Sequence, residues 1–250
     1  MKFSICINSV FRGTDSVEAV KKVKEAGFDA FEFWGWKNLD LDAMSAAAKE
    51  NGVSCICFCT SSFNLTDPGQ RNAFTEGIRE STAAAKKMGA PFLITQSGND
   101  TGAVRSFQRR SVIAGLKAAA PLLEDSGVTL LLEPLNGKID HQGIFLESSD
   151  EGFEITREAG SPNIKLLFDI YHQQITEGDI IRRITANVGC IGHIHCAGNP
   201  GRNELYSGEL DYCRIFRAAE SAGYSGFFGL EYFPLEPAAE GLRKIREMIK

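Results

Sequence analysis

Glu25-Ala26-Gly27-Phe28-Asp29-Ala30 reads as the end of a helix, a turn and the start of a strand. The same formula returns at Lys49-Glu50-Asn51-Gly52-Val53, at Glu124-Asp125-Ser126-Gly127-Val128 and at Ser221-Ala222-Gly223-Tyr224. In each joint the glycine takes the left-handed conformation that closes a helix, which a Cβ would penalise. The chain then re-enters a run of β-branched or aromatic residues, as a strand requires. Outward from these joints, the pattern predicts strands over Phe3–Val10, Ala30–Trp34, Val53–Thr60, Phe92–Gln96, Thr129–Leu135, Ile164–Asp169, Cys190–Cys196 and Phe227–Tyr232. Between and after them it predicts helices over Asp15–Ala26, Leu41–Asn51, Gln70–Met88, Val104–Asp125, Ser149–Ala159, Gly178–Val188, Leu210–Ala222 and Pro237–Ile249. Eight strand–helix pairs without a break in composition predict an α/β fold, a single (β/α)8 barrel domain over residues 1–250. An open doubly wound sheet would carry a Gly-rich phosphate fingerprint after its first strand, and none stands there.

Composition narrows the function. With 43% hydrophobic residues in a chain of 250, one large core is within reach. A net charge of −5 argues against a surface that follows a phosphate backbone, so no nucleic-acid partner is expected. No stretch is long and apolar enough for a bilayer, so no membrane association is expected either. Met1-Lys2-Phe3-Ser4-Ile5-Cys6 reads as a first strand rather than a signal peptide. Seven cysteines, an odd number without a CxxC pair, read as free thiols in a reducing cytoplasm. Cys55, Cys57 and Cys59 are expected on one face of the third strand, as small fillers of the barrel interior. Strung along a line, they cannot all reach one ion.

In a barrel of this kind, function gathers on the loops leaving the C-terminal ends of the strands. Thr60–Gly69 and Ser97–Ala103 are long and polar, suited to a pocket wall or lid. Strands five to eight each bring an ionisable residue to that end: Glu133, Asp169, His195 and Glu231. A lone buried carboxylate costs several kcal/mol or becomes protonated. Four such groups on neighbouring strands can be stabilised together by one cation. Three carboxylates and one imidazole suit Mn²⁺ or Mg²⁺, with Zn²⁺, Co²⁺ or Ni²⁺ as competitors. The competing arrangement is a buried ion-pair network with Arg or Lys, and no basic residue occupies the matching strand ends.

Other residues surround this set. His193 shares a strand face with His195, while Ile194 points away. Glu32, in Phe31-Glu32-Phe33-Trp34, must find a partner or face the pocket; it stands as a candidate substrate contact, with a structural role equally open. Trp34 and Trp36 suit a pocket wall, a subunit contact or plain packing. His172 follows Asp169 by three and reads as a loop histidine that touches ligand. Arg202 leaves strand seven through Asn199-Pro200-Gly201, and its fork suits a carboxylate or two hydroxyl oxygens. His141, beside Asp140 in the loop 136–146, is a further candidate substrate contact.

Four motifs carry a resemblance: Leu132-Glu133-Pro134-Leu135-Asn136, Phe168-Asp169-Ile170-Tyr171-His172, Gly192-His193-Ile194-His195 through Pro200-Gly201-Arg202, and Gly229-Leu230-Glu231-Tyr232. With them the chain resembles the hydroxypyruvate isomerase branch of the sugar isomerase/epimerase TIM barrels, the xylose-isomerase-like superfamily, over nearly its whole length. The resemblance implies that Glu133, Asp169, His195 and Glu231 bind one divalent metal ion. It implies that Glu133 and Glu231 also move protons, and that His172 and Arg202 contact substrate. Two positions depart. Hydroxypyruvate isomerases tend to carry Gln at the position of His195, where ketose 3-epimerases carry His. Those epimerases place a further Glu where this chain has Ile139.

The implied activity is isomerisation of a small non-phosphorylated sugar or keto acid, by proton transfer through an enediolate, in a cytoplasmic enzyme; a homo-oligomer is left open. The alternatives are a ketose 3-epimerase, a lyase cleaving beside a keto-sugar with His141 as base, a sugar sensor without catalysis, and a DNA-repair enzyme like endonuclease IV. The last needs a histidine-rich three-zinc cluster and a basic face, against four histidines and a negative charge here.

Overall fold

Leu130, Leu131 and Leu132 are all fully buried, so their strand is apolar on both faces. Such a strand needs cover on both sides, which a parallel barrel wrapped by helices supplies. The computed structural model describes residues 1–249 and shows that arrangement. Eight parallel strands close in sequential order: β1 (Lys2–Cys6), β2 (Ala30–Phe33), β3 (Ser54–Cys59), β4 (Phe92–Gln96), β5 (Thr129–Glu133), β6 (Ile164–Asp169), β7 (Ile191–Cys196) and β8 (Phe227–Leu230). The helices around them are α1 (Ile7–Val10), α2 (Ser16–Glu25), α3 (Leu41–Asn51), α4 (Arg71–Met88), α5 (Arg105–Ser126), α6 (Ser149–Ala159), α7 (Ile170–Thr176), α8 (Ile180–Asn187), α9 (Tyr212–Ser221) and α10 (Ala238–Met248). The large core, with Phe33, Phe74, Phe153 and Phe216, lies between strands and helices. A small apolar plug of Ala30, Ile56, Cys57, Ile94, Leu131 and Leu167 fills the barrel interior. None of the described helices is long and apolar enough to cross a membrane.

The glycine joints behave as the sequence predicts. Gly27, Gly52, Gly127 and Gly223 have φ of +79°, +64°, +72° and +102°. Three expectations need correction. The first strand stops at Cys6, and Ile7–Val10 is a helical turn; the apolar residues on both sides of Asn8-Ser9 concealed the boundary. An unforeseen helix, α7, begins directly after Asp169, so His172 sits in its first turn and is not a loop residue. The three cysteines of β3 do not share a face. Phe31 pairs with Cys55 but Glu32 pairs with Cys57, which leaves Ile56 as an extra residue. Such a bulge flips the alternation. Cys55 therefore joins the outer core, whereas Cys57 belongs to the interior plug.

Candidate active site

Inward-facing residues alternate along each strand, so the residue two beyond the plug reaches the barrel mouth. Beyond Leu131 comes Glu133, beyond Leu167 comes Asp169, and beyond His193 comes His195. Gln96 and Glu133 are paired in register, as are Asp169 and His195. Glu231 follows the last residue of β8. One ligand atom from each of Glu133, Asp169, His195 and Glu231 lies within 4.8 Å of the others, and all four residues are buried. The four predicted metal residues are thus brought together.

Each has a distinct set of partners. Asp169 is also the N-cap of α7, a site that favours a short carboxylate. Its Oδ1 accepts from the backbone N–H of Tyr171 at 2.8 Å and His172 at 3.3 Å. Its Oδ2 is 3.5 Å from His172 Nε2 and 3.7 Å from Arg202 Nη2. Glu231 Oε1 accepts from Trp34 Nε1 at 2.6 Å, and its Oε2 accepts from Arg202 Nη2 at 2.7 Å. Glu133 Oε2 accepts from Gln96 Nε2 at 3.0 Å. His195 Nδ1 is 3.2 Å from Glu231 and 3.8 Å from Glu133.

No basic residue ends a neighbouring strand, but Arg202 reaches the acidic set from a loop. It arrives from the loop after β7, with φ of +56°, and its guanidinium lies 5.2 Å from the centroid of the Tyr171 ring. One guanidinium still answers three carboxylates. Burial pushes Glu133 up to about 7; the charges of Glu231 and Asp169 add to this and His195 opposes it. Burial acts on Glu231 in the same sense, but Arg202 and then His195 overcome it and hold that carboxyl low.

His172 is fully buried, and its burial lowers it to about 4, against the pull of Asp169. It is therefore neutral, and its tautomer follows from Asn136. Asn136 Oδ1 accepts from the N–H groups of Ile139 and Asp140 at 3.0 and 3.1 Å, which orients the amide. Its Nδ2 then faces His172 Nδ1 at 2.6 Å and donates to it. The proton is on Nε2, which has no hydrogen-bond partner of its own.

A cavity of about 650 Å³ opens over this floor. Glu133, His141, His172, Arg202 and Glu231 line it, together with Trp34, Phe63, Asn64 and Asn99. His141 is half-buried, with its ring centroid 5.3 Å from that of His172. Glu32 is not on the wall. It is 2% exposed and turned below the mouth, where it accepts from Ser4 Oγ at 3.0 Å, Cys57 Sγ at 3.3 Å and His193 Nε2 at 2.8 Å. Of the two roles open to Glu32, the geometry matches the structural one, since its partners are inside the barrel and it does not line the cavity. Trp34 stands in the cavity wall, one of the roles open to it, whereas Gln96 and Asn136 are site groups that the sequence reading does not name. Gln96 ends its strand as the acids end theirs, and that position was the available signal.

Set beside known proteins, residues 20–248 match the family described as xylose isomerase-like TIM barrel. Hydroxypyruvate isomerase of Escherichia coli K12 is 27% identical over 263 residues, covering 97% of each chain. The 2-oxo-tetronate isomerase of Cupriavidus necator is 40% identical over 138 residues, or 55% of this chain and 53% of that one. A crystal structure described as AP endonuclease, family 2, from Brucella melitensis superposes with a TM-score of 0.93 at 27% identity, covering 98% of each chain.

Proposed function

We propose the reaction from one premise: the chain belongs to the xylose isomerase-like TIM barrel family. It is an enzyme of the isomerase and epimerase class, as its relatives are named. The finer reading is a divalent-metal-dependent isomerase of a small, non-phosphorylated sugar or keto acid, like hydroxypyruvate isomerase. One observation carries it: four ligand atoms converge within 4.8 Å under a cavity, with a single guanidinium to balance three carboxylates. The residues fit a divalent ion, since the donor set is mostly hard oxygen and buried His195 Nδ1 has no hydrogen-bond partner. A bound Mn²⁺ or Mg²⁺ would be held by Glu133, Asp169, His195 and Glu231 and would stabilise negative charge developing on the substrate oxygens.

The chain's own groups supply the rest. Glu133 and Glu231 flank the floor and are the pair that removes a proton beside the carbonyl and returns it. Return to the neighbouring carbon exchanges carbonyl and hydroxyl positions through an enediolate. Return to the opposite face of the same carbon would be epimerisation. Arg202 offers its fork to a substrate carboxylate, and His172 offers its Nε2–H to a substrate oxygen. The carboxylates at the mouth and the net charge of −5 disfavour a phosphodiester, which sets this reading against DNA repair. The test is incubation with hydroxypyruvate, a 2-oxo-tetronate and a panel of small sugars in deuterated water, followed by NMR. Deuterium at the carbon beside the carbonyl, with the isomer formed, is the expected result. No incorporation from any member at full metal occupancy would contradict the proposal. A product differing at one stereocentre would mark an epimerase, and a released leaving group a lyase.

A further inference from the structure

Beneath the mouth, Glu32 lies against both histidines of β7. Its two oxygens are differently occupied. Oε2 takes three donors, from Ser4, Cys57 and His193. Cys57 Sγ donates at 3.3 Å, and burial and the charge of Glu32 push its thiol up. Oε1 has no hydrogen-bond partner, and neither does His195 Nε2, yet the two are buried 3.1 Å apart. Each is the partner available to the other. A carboxylate is acceptor-only when ionised, so the hydrogen between them belongs to the imidazole.

The geometry keeps this pair together. The rings of His193 and His195 meet edge to face, with centroids 5.0 Å apart. On the opposite side, β8 presents Gly229, where a Cβ would press on Glu32 Oε1 and come within 2.7 Å of His195 Cδ2 and 2.8 Å of His193 Nε2. The network occupies the space a side chain would need.

We propose that Glu32 is the positioning residue for His195: its Oε1 holds the Nε2–H edge of the ring and leaves Nδ1 bare toward Glu133 and Glu231. This rests on the reading of His195 as a metal ligand and adds which nitrogen serves and what fixes it. A ligating histidine whose far N–H is held by a carboxylate is pre-oriented and more basic, and loss of such a partner costs about 10–100-fold in metal affinity. Asp169, by contrast, orients itself through its own helix cap.

The test uses full-length ¹⁵N-labelled protein loaded with diamagnetic Zn²⁺. With four histidines in the chain, two-bond ¹H–¹⁵N spectra resolve each ring, and His195→Gln identifies its signals. Nδ1 of His195 should show the ligated shift while Nε2 keeps its hydrogen. Glu32→Gln should weaken Zn²⁺ and Mn²⁺ binding by about 10–100-fold, with turnover recovering at saturating metal. That loss should vanish in the His195→Gln background if Glu32 acts through the ring. Ligation through Nε2 in the wild type would overturn the inference without any variant having to fold. So would unchanged affinity in Glu32→Gln, persistence of its effect without His195, or a second ion among Glu32, Cys57 and His193. Absence of metal binding by the wild type would instead overturn the metal reading itself, and this inference with it.

Discussion

Below the mouth, three donors serve one oxygen of Glu32 and nothing of that residue faces the cavity. At the mouth, Glu133 receives one side-chain hydrogen bond, from Gln96, and lines the cavity. Both layers are buried clusters of carboxylate and imidazole, and each groups enough ligand-type atoms to suggest an ion. They differ in how the cost of burying charge is met. The lower layer meets it at Oε2 of Glu32 with three hydrogen bonds and sets Oε1 against His195 Nε2 at 3.1 Å, which makes it a support. The upper layer leaves it partly unmet, so Glu133 is pushed toward neutrality. That shortfall is what a divalent ion and a substrate would relieve, and it is why chemistry is assigned to the mouth alone.

The sharpest way to break this contrast is at the two glutamates. Glu133→Gln and Glu231→Gln keep a ligand oxygen but remove the titrating group. Each should lose about 10²–10⁴ in kcat, the usual worth of general acid–base catalysis. The measurement is kcat with metal occupancy determined for each variant. Wild-type turnover at full occupancy would turn attention to His141 as the base, since His172 presents a donor. One of the two variants is expected to retain exchange of substrate hydrogen with solvent while losing turnover, which would identify the group acting second.

Asp169→Asn should act on metal rather than on proton transfer. Its affinity for Mn²⁺ should fall by at least the ~10–100-fold seen when a ligand's supporting partner is lost. Activity should be partly restored by excess Mn²⁺, as titration calorimetry beside turnover would show. Lost turnover with metal still bound would give Asp169 a chemical role that the two-glutamate account lacks.

The lower layer should answer in stability. Gly229→Ala places a methyl against Glu32 and both histidines, and overpacking of this kind costs ~1–3 kcal/mol. Thermal melting of the variant tests it; an unchanged Tm would mean the support layer yields easily.

An effect of similar size is one of pH on the metal-free protein. Glu133 has a folded pKa raised to about 7 from an ordinary 4.5. Between those values the folded state holds a proton that the unfolded state has released, so stability rises as pH falls through that window and is lost as pH rises. The Tm of metal-free wild type should therefore gain on acidification from pH 7 to pH 5 relative to Glu133→Gln. Parallel pH profiles would mean that the upper layer is better compensated than its geometry indicates.

The contrast between the layers also explains what could be read from the sequence. The mouth was legible because strand ends are marked: Glu133, Asp169, His195 and Glu231 each close an apolar run, and the glycine joints place those runs around a barrel. The supporting layer was not. Glu32 meets His193 across 161 residues of chain, and only barrel closure brings a side chain of β2 against one of β7 through the interior. The face of Cys55 depended on a one-residue bulge, which leaves no mark in a run of β-formers. Arg202 looked like a ligand contact and is also an ion-pair partner of Glu231, because its loop folds back over the mouth. The helix after Asp169 has a readable signal, an Asp in the N-cap position, masked because the same residue also ends β6.

The difference between the layers can be seen directly in the anomalous diffraction of crystals soaked to saturation with Mn²⁺. The account predicts one manganese peak per chain, bounded by Glu133, Asp169, Nδ1 of His195 and Glu231, and none among Glu32, Cys57 and His193. No peak at the mouth, or a peak in the layer beneath it, would contradict it.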